Sequence, residues 1–124
     1  MTKVVIVEDD IPLAEMYKFK LDGAGYICEI ALDGAAGLEL IKNSKPDLVL
    51  LDLMLPQMTG SEVLKHIRSS DWGKNIKVIV LTNVSEAEAP DELNKLGIEK
   101  YLVKANHTPS QVIEFVNQAL AVKK

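Results

Sequence analysis

The chain has few of the residues that stabilise small secreted or zinc-binding proteins. Its 124 residues include one cysteine, Cys28, and two histidines, His66 and His107. A single cysteine cannot form an intramolecular disulfide, which agrees with a reducing compartment, and we expect Cys28 to be a small buried hydrophobic residue. Neither histidine has a second one at ligand spacing, so we expect no zinc site. We also expect His66 to be solvated and His107 to lie in a loop.

The sequence also lacks a long apolar run and an excess of positive charge. No segment approaches the roughly 20 apolar residues of a bilayer span and no signal peptide opens the chain, so we expect a cytoplasmic protein without membrane insertion. The 14 Lys and Arg against 18 Asp and Glu leave a net charge of −4, which disfavours direct binding to nucleic acid. The length and the 48% hydrophobic content predict a single globular domain, 1–124.

Short apolar runs alternate with helical patterns. The predicted strands are Val4 to Val7, Tyr26 to Ala31, Leu48 to Leu53, Val78 to Leu81 and Tyr101 to Val103. Apolar residues recur at helical spacing at Ala14, Tyr17, Leu21 and Ala24, and again at Val112, Phe115, Val116, Ala119 and Leu120. Strands separated by helices predict an α/β fold, a doubly wound five-stranded parallel sheet.

Local signals mark where the helices start and where the chain turns. Asp10 before Ile11-Pro12, and Thr108 before Pro109, are typical of helix N-termini. Turns or helix C-caps are expected at Gly25, Gly60, Gly73 and Gly97.

Polar side chains follow the predicted strands at the edge where such sheets bind ligands. They are Glu8, Asp9 and Asp10 after the first strand, Asp52 at the end of the third, Thr82 after the fourth and Lys104 after the fifth. Taken singly, most have simple explanations: Asp10 caps a helix, Thr82 closes a strand and Lys104 is solvated. Asp52 is different, because a strand that is apolar on both faces is central, where an unpaired carboxylate is rare.

This group of charges predicts a phosphoryl-transfer site. Clustered carboxylates repel one another unless a cation intervenes, and Mg²⁺ is a hard cation that accepts several oxygen ligands. Asp carboxylates act as nucleophiles in phosphoryl transfer, while the Thr82 hydroxyl, the Lys104 ammonium and backbone amides could hold the transferred oxygens. We therefore predict that Asp52 is kept ionised and reactive by Mg²⁺ and Lys104.

The sequence resembles the receiver domain of two-component response regulators along essentially its whole length. The matching segments are "VVIVEDD" ending at Asp10, "DLVLLDLMLPQMTG" at 47–60, "VIVLT" at 78–82 and "YLVK" at 101–104. Five residues lie at distances from Asp52 along the sequence that are typical of this family. They are Pro56 (+4), Gly60 (+8), Thr82 (+30), Tyr101 (+49) and Lys104 (+52).

The resemblance implies a flavodoxin-like (βα)5 fold with strand order 2-1-3-4-5. It also implies that Asp52 accepts a phosphoryl group from a phosphohistidine of a sensor histidine kinase or a histidine phosphotransfer protein. By the same resemblance, Lys104 and Thr82 contact the phosphoryl oxygens, and the chain promotes only its own phosphorylation and dephosphorylation. The implied Mg²⁺ ligands are Asp9, Asp52 and the Met54 carbonyl, with Glu8 acting through water, and the implied phosphoryl-binding amides are those of Leu53, Met54 and Asn83.

The family also implies a switch and a set of partners. Thr82 moves toward the phosphoryl group and Tyr101 turns inward, which changes the surface of helix 4, strand 5 and helix 5 for a downstream effector protein or domain. The chain is expected to be a monomer or a phosphorylation-dependent dimer. It is either a stand-alone receiver or part of a longer regulator.

Three other interpretations can be compared with this one. By resemblance to its family, a phosphohydrolase that uses an Asp nucleophile would carry a second Asp two residues after the first. This chain has Met54 at that position, so the second acid is absent. A flavodoxin is disfavoured because Glu8, Asp9 and Asp10 would repel a flavin phosphate. A receiver fold used only as an unphosphorylated docking module remains open.

Two positions depart from the family pattern. Ala105 follows Lys104, where the family usually has proline, so the resemblance does not extend to the shape of that loop. Asn83 occupies a position that is commonly small, and we expect it to narrow access to the phosphoryl group.

A slow loss of the phosphoryl group is predicted from Met54 and Val84. These residues occupy positions that in the family influence how water attacks the phosphoaspartate, and neither side chain forms a strong hydrogen bond to water. Phosphorylated protein, isolated and kept in Mg²⁺, can be followed by intact mass. A half-life of only seconds would contradict this prediction.

Overall fold

Five short parallel strands form the centre of the molecule. The computed structural model describes residues 2–121. The strands are β1 (Lys3–Val7), β2 (Ile27–Ala31), β3 (Leu48–Leu51), β4 (Lys77–Thr82) and β5 (Lys100–Val103). They lie in the order β2-β1-β3-β4-β5 with parallel neighbours throughout, so the predicted doubly wound sheet and its strand order are confirmed.

Helices cover both faces of this sheet. They are α1 (Ile11–Gly23), α2 (Gly34–Ser44), α3 (Gly60–Ser69), α4 (Glu92–Leu96) and α5 (Pro109–Leu120). Single turns of 3₁₀ helix at Glu86–Glu88 and Lys104–Asn106 precede α4 and α5. Within the described part of the chain, no helix combines the length and the apolarity that a bilayer crossing needs.

Alternate strand residues pack on opposite faces. Ile6 and Leu50 pack with Tyr17 of α1 and with residues of α5. Val7 and Leu51 pack on the other face with residues of α2, α3 and α4. Because both faces are buried, the central strands are apolar from Val4 to Val7, from Leu48 to Leu51 and from Val78 to Leu81, and Glu8 and Asp52 follow directly after β1 and β3.

Most of the predicted helix and turn signals are confirmed. Asp10 caps α1 by accepting from the Leu13 amide at 3.2 Å, and Thr108 caps α5 in a reciprocal pair with Gln111. Gly97 follows α4 with a φ of +81°. Such left-handed backbone favours glycine, which has no Cβ.

Several predicted boundaries differ from the structure, most of them by one residue at a strand end. The third strand ends at Leu51 rather than at Leu53. Gly60, predicted to lie in a turn or C-cap, is the first residue of α3, because Thr59 forms a capping box there. Ala24, expected on the buried face of the first helix, is exposed at its C-cap because the helix ends at Gly23.

Arg68, near the end of α3, joins three segments of the fold. Its guanidinium donates to the carbonyls of Leu96 (2.7 Å), Gly73 (3.0 Å), Ile76 (2.8 Å) and Gly97 (2.8 Å). The first and last of these close α4, whereas the other two precede β4. Arg68 thus supplies donors to helix-end carbonyls that α4 cannot satisfy internally.

Replacing Arg68 by leucine should destabilise the fold. Because several partly buried carbonyls lose a charged donor, we expect Arg68→Leu to reduce the free energy of unfolding by about 2–4 kcal/mol in urea titrations. Lys74→Met is the control, because it removes only an exposed pair with Asp71, and its effect should stay below about 0.5 kcal/mol. Equal effects of the two substitutions would contradict this role.

Candidate functional site

The register of the sheet places Glu8 and Asp52 side by side. Val7 pairs with Leu51, and the Asp52 amide donates to the Val7 carbonyl at 3.1 Å. Each carboxylate is therefore one residue beyond its strand, at the same edge. The parallel pairing continues through β4 to β5, so Lys104 reaches that edge as well.

Lys104 forms ion pairs with both of these buried carboxylates. Its Nζ contacts Glu8 Oε1 and lies 2.8 Å from Asp52 Oδ2. The side chains of Glu8 and Asp52 are only 3% and 5% exposed. Their other oxygens accept from backbone amides, Glu8 Oε2 from Asp10 at 3.0 Å and Asp52 Oδ1 from Met54 at 3.1 Å. Each buried carboxylate therefore has a cation and an amide, which offset the cost of its burial.

Burial and pairing act on the pKa values of this group in opposite directions. Burial raises the pKa of Glu8, although the hydrogen bonds from Lys104 and the Asp10 amide oppose the change. Burial lowers the pKa of Lys104, but hydrogen bonds to Asp52 and Glu8 outweigh it, and the pKa is raised overall. Lys104 is therefore a cation at physiological pH.

A cleft of about 370 Å³ opens above this edge of the sheet. It is lined by Glu8, Asp9, Asp10, Asp52, Met54, Asn83 and Lys104. The structure thus brings together residues that follow four different strands, as the sequence predicted. A larger cleft of about 470 Å³ lies beside Trp72 at the opposite end of the sheet, but the carboxylate cluster is not there.

Thr82 and Tyr101 are not among the residues that line this cleft. Thr82 is fully buried, and its alternation with Val80 places it on the α2–α4 face. Its Oγ1 accepts from the Val84 amide at 3.4 Å, while Tyr101 Oη donates to the Val84 carbonyl at 2.7 Å. Both residues therefore hold Val84, a connection that the sequence did not indicate.

The donor set fits a hard divalent cation. Glu8, Asp9 and Asp52 each offer an oxygen within 4.8 Å of the others. Within residues 2–121, no salt bridge reaches the exposed Asp9. An all-oxygen cluster whose negative charge Lys104 balances only in part is the environment that Mg²⁺ prefers.

The turn after Asp52 is held close to the start of α3. The Gly60 amide donates to the Leu53 carbonyl at 3.0 Å. A Cβ on Gly60 would lie 2.1 Å from the Asp52 carbonyl oxygen, so only glycine fits. This contact sets the position of the Asp52 backbone.

The chain belongs to the response regulator receiver family. It matches the family model, described as the response regulator receiver domain, over residues 4–117. That match spans the whole sheet and most of α5. Residues 4–117 therefore form a receiver domain of the kind found in two-component signalling, and the acidic pocket of Glu8, Asp9 and Asp52 fits the phosphoacceptor site of the family.

Curated relatives include a response regulator and a DNA-binding transcriptional regulator. The chain is 37% identical over 105 residues to the response regulator MprA of Mycobacterium sp. strain KMS, with 82% of this chain and 44% of MprA covered. It is 32% identical over 104 residues to the DNA-binding dual master transcriptional regulator RpaA of Synechocystis, with 84% of this chain and 43% of RpaA covered. The chain thus spans less than half the length of these relatives.

Solved structures share the fold over nearly the whole chain. The chemotaxis protein CheY4 of Vibrio cholerae has a TM-score of 0.87 and 30% identity, with 97% of this chain and 99% of CheY4 covered. The response regulator TrrA of Thermotoga maritima, in complex with Mg²⁺ and BeF, has a TM-score of 0.82 and 29% identity, with 97% and 100% covered.

Glu8→Gln should stabilise the protein at neutral pH when divalent cations are chelated. Because burial raises the Glu8 pKa, the folded state binds the proton more tightly than the unfolded chain. The resulting stability is present below about pH 4.5 and is lost as the pH rises through the folded pKa. Glutamine removes the buried charge and keeps one acceptor oxygen for Lys104, although its NH2 group replaces the oxygen that accepts from the Asp10 amide, which offsets part of the gain. We expect a higher melting temperature than wild type near pH 7, and a difference that shrinks toward pH 4.

The control for this prediction is Glu114→Gln, which removes an exposed carboxylate on α5. It should melt like the wild type at both pH values. Thermal unfolding followed by circular dichroism measures all three proteins. If Glu8→Gln does not melt at a higher temperature than wild type near pH 7, or if the difference is larger near pH 4, the charge on buried Glu8 does not destabilise the fold as predicted.

Proposed function

We propose that Asp52 accepts a phosphoryl group from a phosphohistidine of a sensor histidine kinase or a histidine phosphotransfer protein. The observation that carries this proposal is the Asp52 carboxylate, held 2.8 Å from Lys104 Nζ at the base of the acidic cleft. In the transfer, an Asp52 oxygen bonds to phosphorus while the bond from phosphorus to the imidazole nitrogen breaks. The imidazole keeps the electron pair and takes up a proton. The protein contributes position and charge neutralisation.

Asp9, Asp52 and the Met54 carbonyl are the proposed ligands of Mg²⁺, which when bound neutralises phosphoryl oxygens. Asp9 suits this role because it is exposed and has no salt bridge among the described residues. Glu8 is already engaged by Lys104 and by the Asp10 amide, which supports a contribution through water.

The phosphoryl oxygens are proposed to bind Lys104 and the backbone amides of Leu53, Met54 and Asn83. Lys104 and the Met54 amide already contact the two Asp52 oxygens, so they lie next to the atom that would carry the phosphoryl group. Asn83 lines the same cleft. Charge-assisted hydrogen bonds of this kind are stronger than neutral ones.

Thr82 and Tyr101 are the proposed switch. A phosphoryl group adds negative charge and acceptor oxygens, to which the Thr82 hydroxyl can donate after it releases the Val84 amide. Tyr101 holds the carbonyl of the same residue at 2.7 Å, so a movement of Val84 would alter the position of Tyr101. The phosphoryl group would thereby favour one of two conformations of the α4, β5 and α5 surface.

The proposed partners are the phosphohistidine donor and a downstream effector that reads this surface. The net charge of −4 disfavours direct contact with nucleic acid, so any DNA-binding output would come from an effector protein or domain. We propose a cytoplasmic location and a monomer, or a dimer that forms on phosphorylation.

Intact mass after incubation with acetyl phosphate tests the chemistry. Wild type should gain one phosphoryl group in Mg²⁺ and none in chelator, and Asp52→Asn should gain none. Asp71→Asn, which changes a fully exposed carboxylate beside Trp72, should react like the wild type.

The other outcomes separate the alternatives. Labelling of Asp52→Asn would show that another residue is the acceptor. If the wild type is labelled neither by acetyl phosphate nor by a phosphorylated histidine kinase, and binds no Mg²⁺, the unphosphorylated docking module becomes the better interpretation.

A further inference from the structure

We infer that Gly34, the first residue of α2, is a positioning residue for Asp52; this inference rests on the proposed function. Gly34 is buried, and its amide donates to the carbonyl of Pro56 at 3.1 Å. Pro56 belongs to the segment 52–59 that joins β3 to α3 and carries Asp52. The amide is one of the donors that a helix leaves unpaired at its N-terminus, so the contact satisfies both partners.

The segment 52–59 needs such a contact because its backbone is strained. The Met58 amide donates to the Pro56 carbonyl at 2.8 Å, which closes a γ-turn around Gln57. The φ of Gln57 is +72°. Left-handed backbone at a residue with a Cβ costs about 1–2 kcal/mol, and the surroundings must hold it in place. Gly34 supplies a second donor to the Pro56 carbonyl that closes this turn.

The absence of a Cβ on Gly34 lets the Met58 backbone approach the start of α2 closely. A Cβ built on Gly34 would lie 1.8 Å from the Met58 carbonyl oxygen and 2.6 Å from its carbon. Both are backbone atoms, so no side-chain rotation relieves the clash. An alanine here must therefore displace either the turn or the start of α2 by about 1 Å.

That displacement would be transmitted to the site through a short path. Met58 is two residues before Gly60, whose amide binds the Leu53 carbonyl and whose Cα packs against the Asp52 carbonyl. Met54 follows Leu53 in the chain, and its amide donates to Asp52 Oδ1. A shift of about 1 Å in a reacting group can cost about 100-fold in rate, so even a partly absorbed displacement is measurable.

The test compares phosphorylation by acetyl phosphate in Mg²⁺ for the wild type, Gly34→Ala and Gly73→Ala. Gly73→Ala is the matched control, because its Cβ would lie 2.5 Å from the Ile67 carbonyl oxygen, between α3 and β4, away from the cleft. Both variants should lose stability. Only Gly34→Ala should show a maximal phosphorylation rate at least about tenfold below wild type. Gly23→Ala, which meets nothing within 4 Å, should match the wild type.

Equal rates for Gly34→Ala and Gly73→Ala would overturn the inference. If the wild type itself is not phosphorylated, the proposed function fails, and the NMR amide spectra of the metal-free variants test the inference instead. A Met54 amide signal that shifts in Gly34→Ala alone supports the inference. An unshifted Met54 signal in Gly34→Ala overturns it. If Gly34→Ala does not fold, the test is made on the wild type by measuring the NMR scalar coupling across the hydrogen bond from the Gly34 amide to the Pro56 carbonyl. The absence of that coupling overturns the inference.

Discussion

The contact of Lys104 with Glu8 and Asp52 is the interaction on which the functional end of the molecule depends. Two carboxylates that are less than 6% exposed could not remain charged side by side without it. Their burial follows from the sheet itself, since Val7 and Leu51 pair directly and each acid comes one residue later. The ion pairs thus make the end of the core compatible with a charged site.

The same constraint places the apolar residues of the core within the central strands and the charged residues of the site just beyond them. Apolar residues fill both faces of the central strands, so the buried acids Glu8 and Asp52 stand just beyond the ends of β1 and β3. Glycines then bring the connecting segments close to these ends. Gly60 and Gly34 approach the backbone of segment 52–59 more closely than any Cβ would allow. The backbone that carries Asp52 is consequently held by other backbone segments, while Lys104 binds its carboxylate.

Val84 links the site to the surface. Its amide and carbonyl are bound by Thr82 and Tyr101, which belong to neighbouring strands. Farther along, Arg68 holds the carbonyl end of α4 through Leu96 and Gly97. The segment from Val84 through the end of α4 therefore lies between two hydrogen-bonded ends, and a change at Thr82 would act on it from one side.

Local chemistry and hydrophobic pattern determined much of this protein from the sequence alone. Apolar runs separated by helical patterns predicted the parallel sheet, and the ends of those runs placed Glu8, Asp52 and Lys104 at one edge. Helix caps such as Asp10 and Thr108 were predictable because they depend on residues only three positions away. The spacing of the motifs then identified the family.

Only the tertiary structure decided which groups bind which. It paired Lys104 with Glu8 rather than with Asp9, turned Thr82 away from the cleft lining, and set Gly34 against Pro56. Such contacts join segments far apart in the chain, and they depend on register, side-chain direction and distances of a few tenths of an ångström. These quantities are set by packing the whole core, so the local pattern of residues does not contain them.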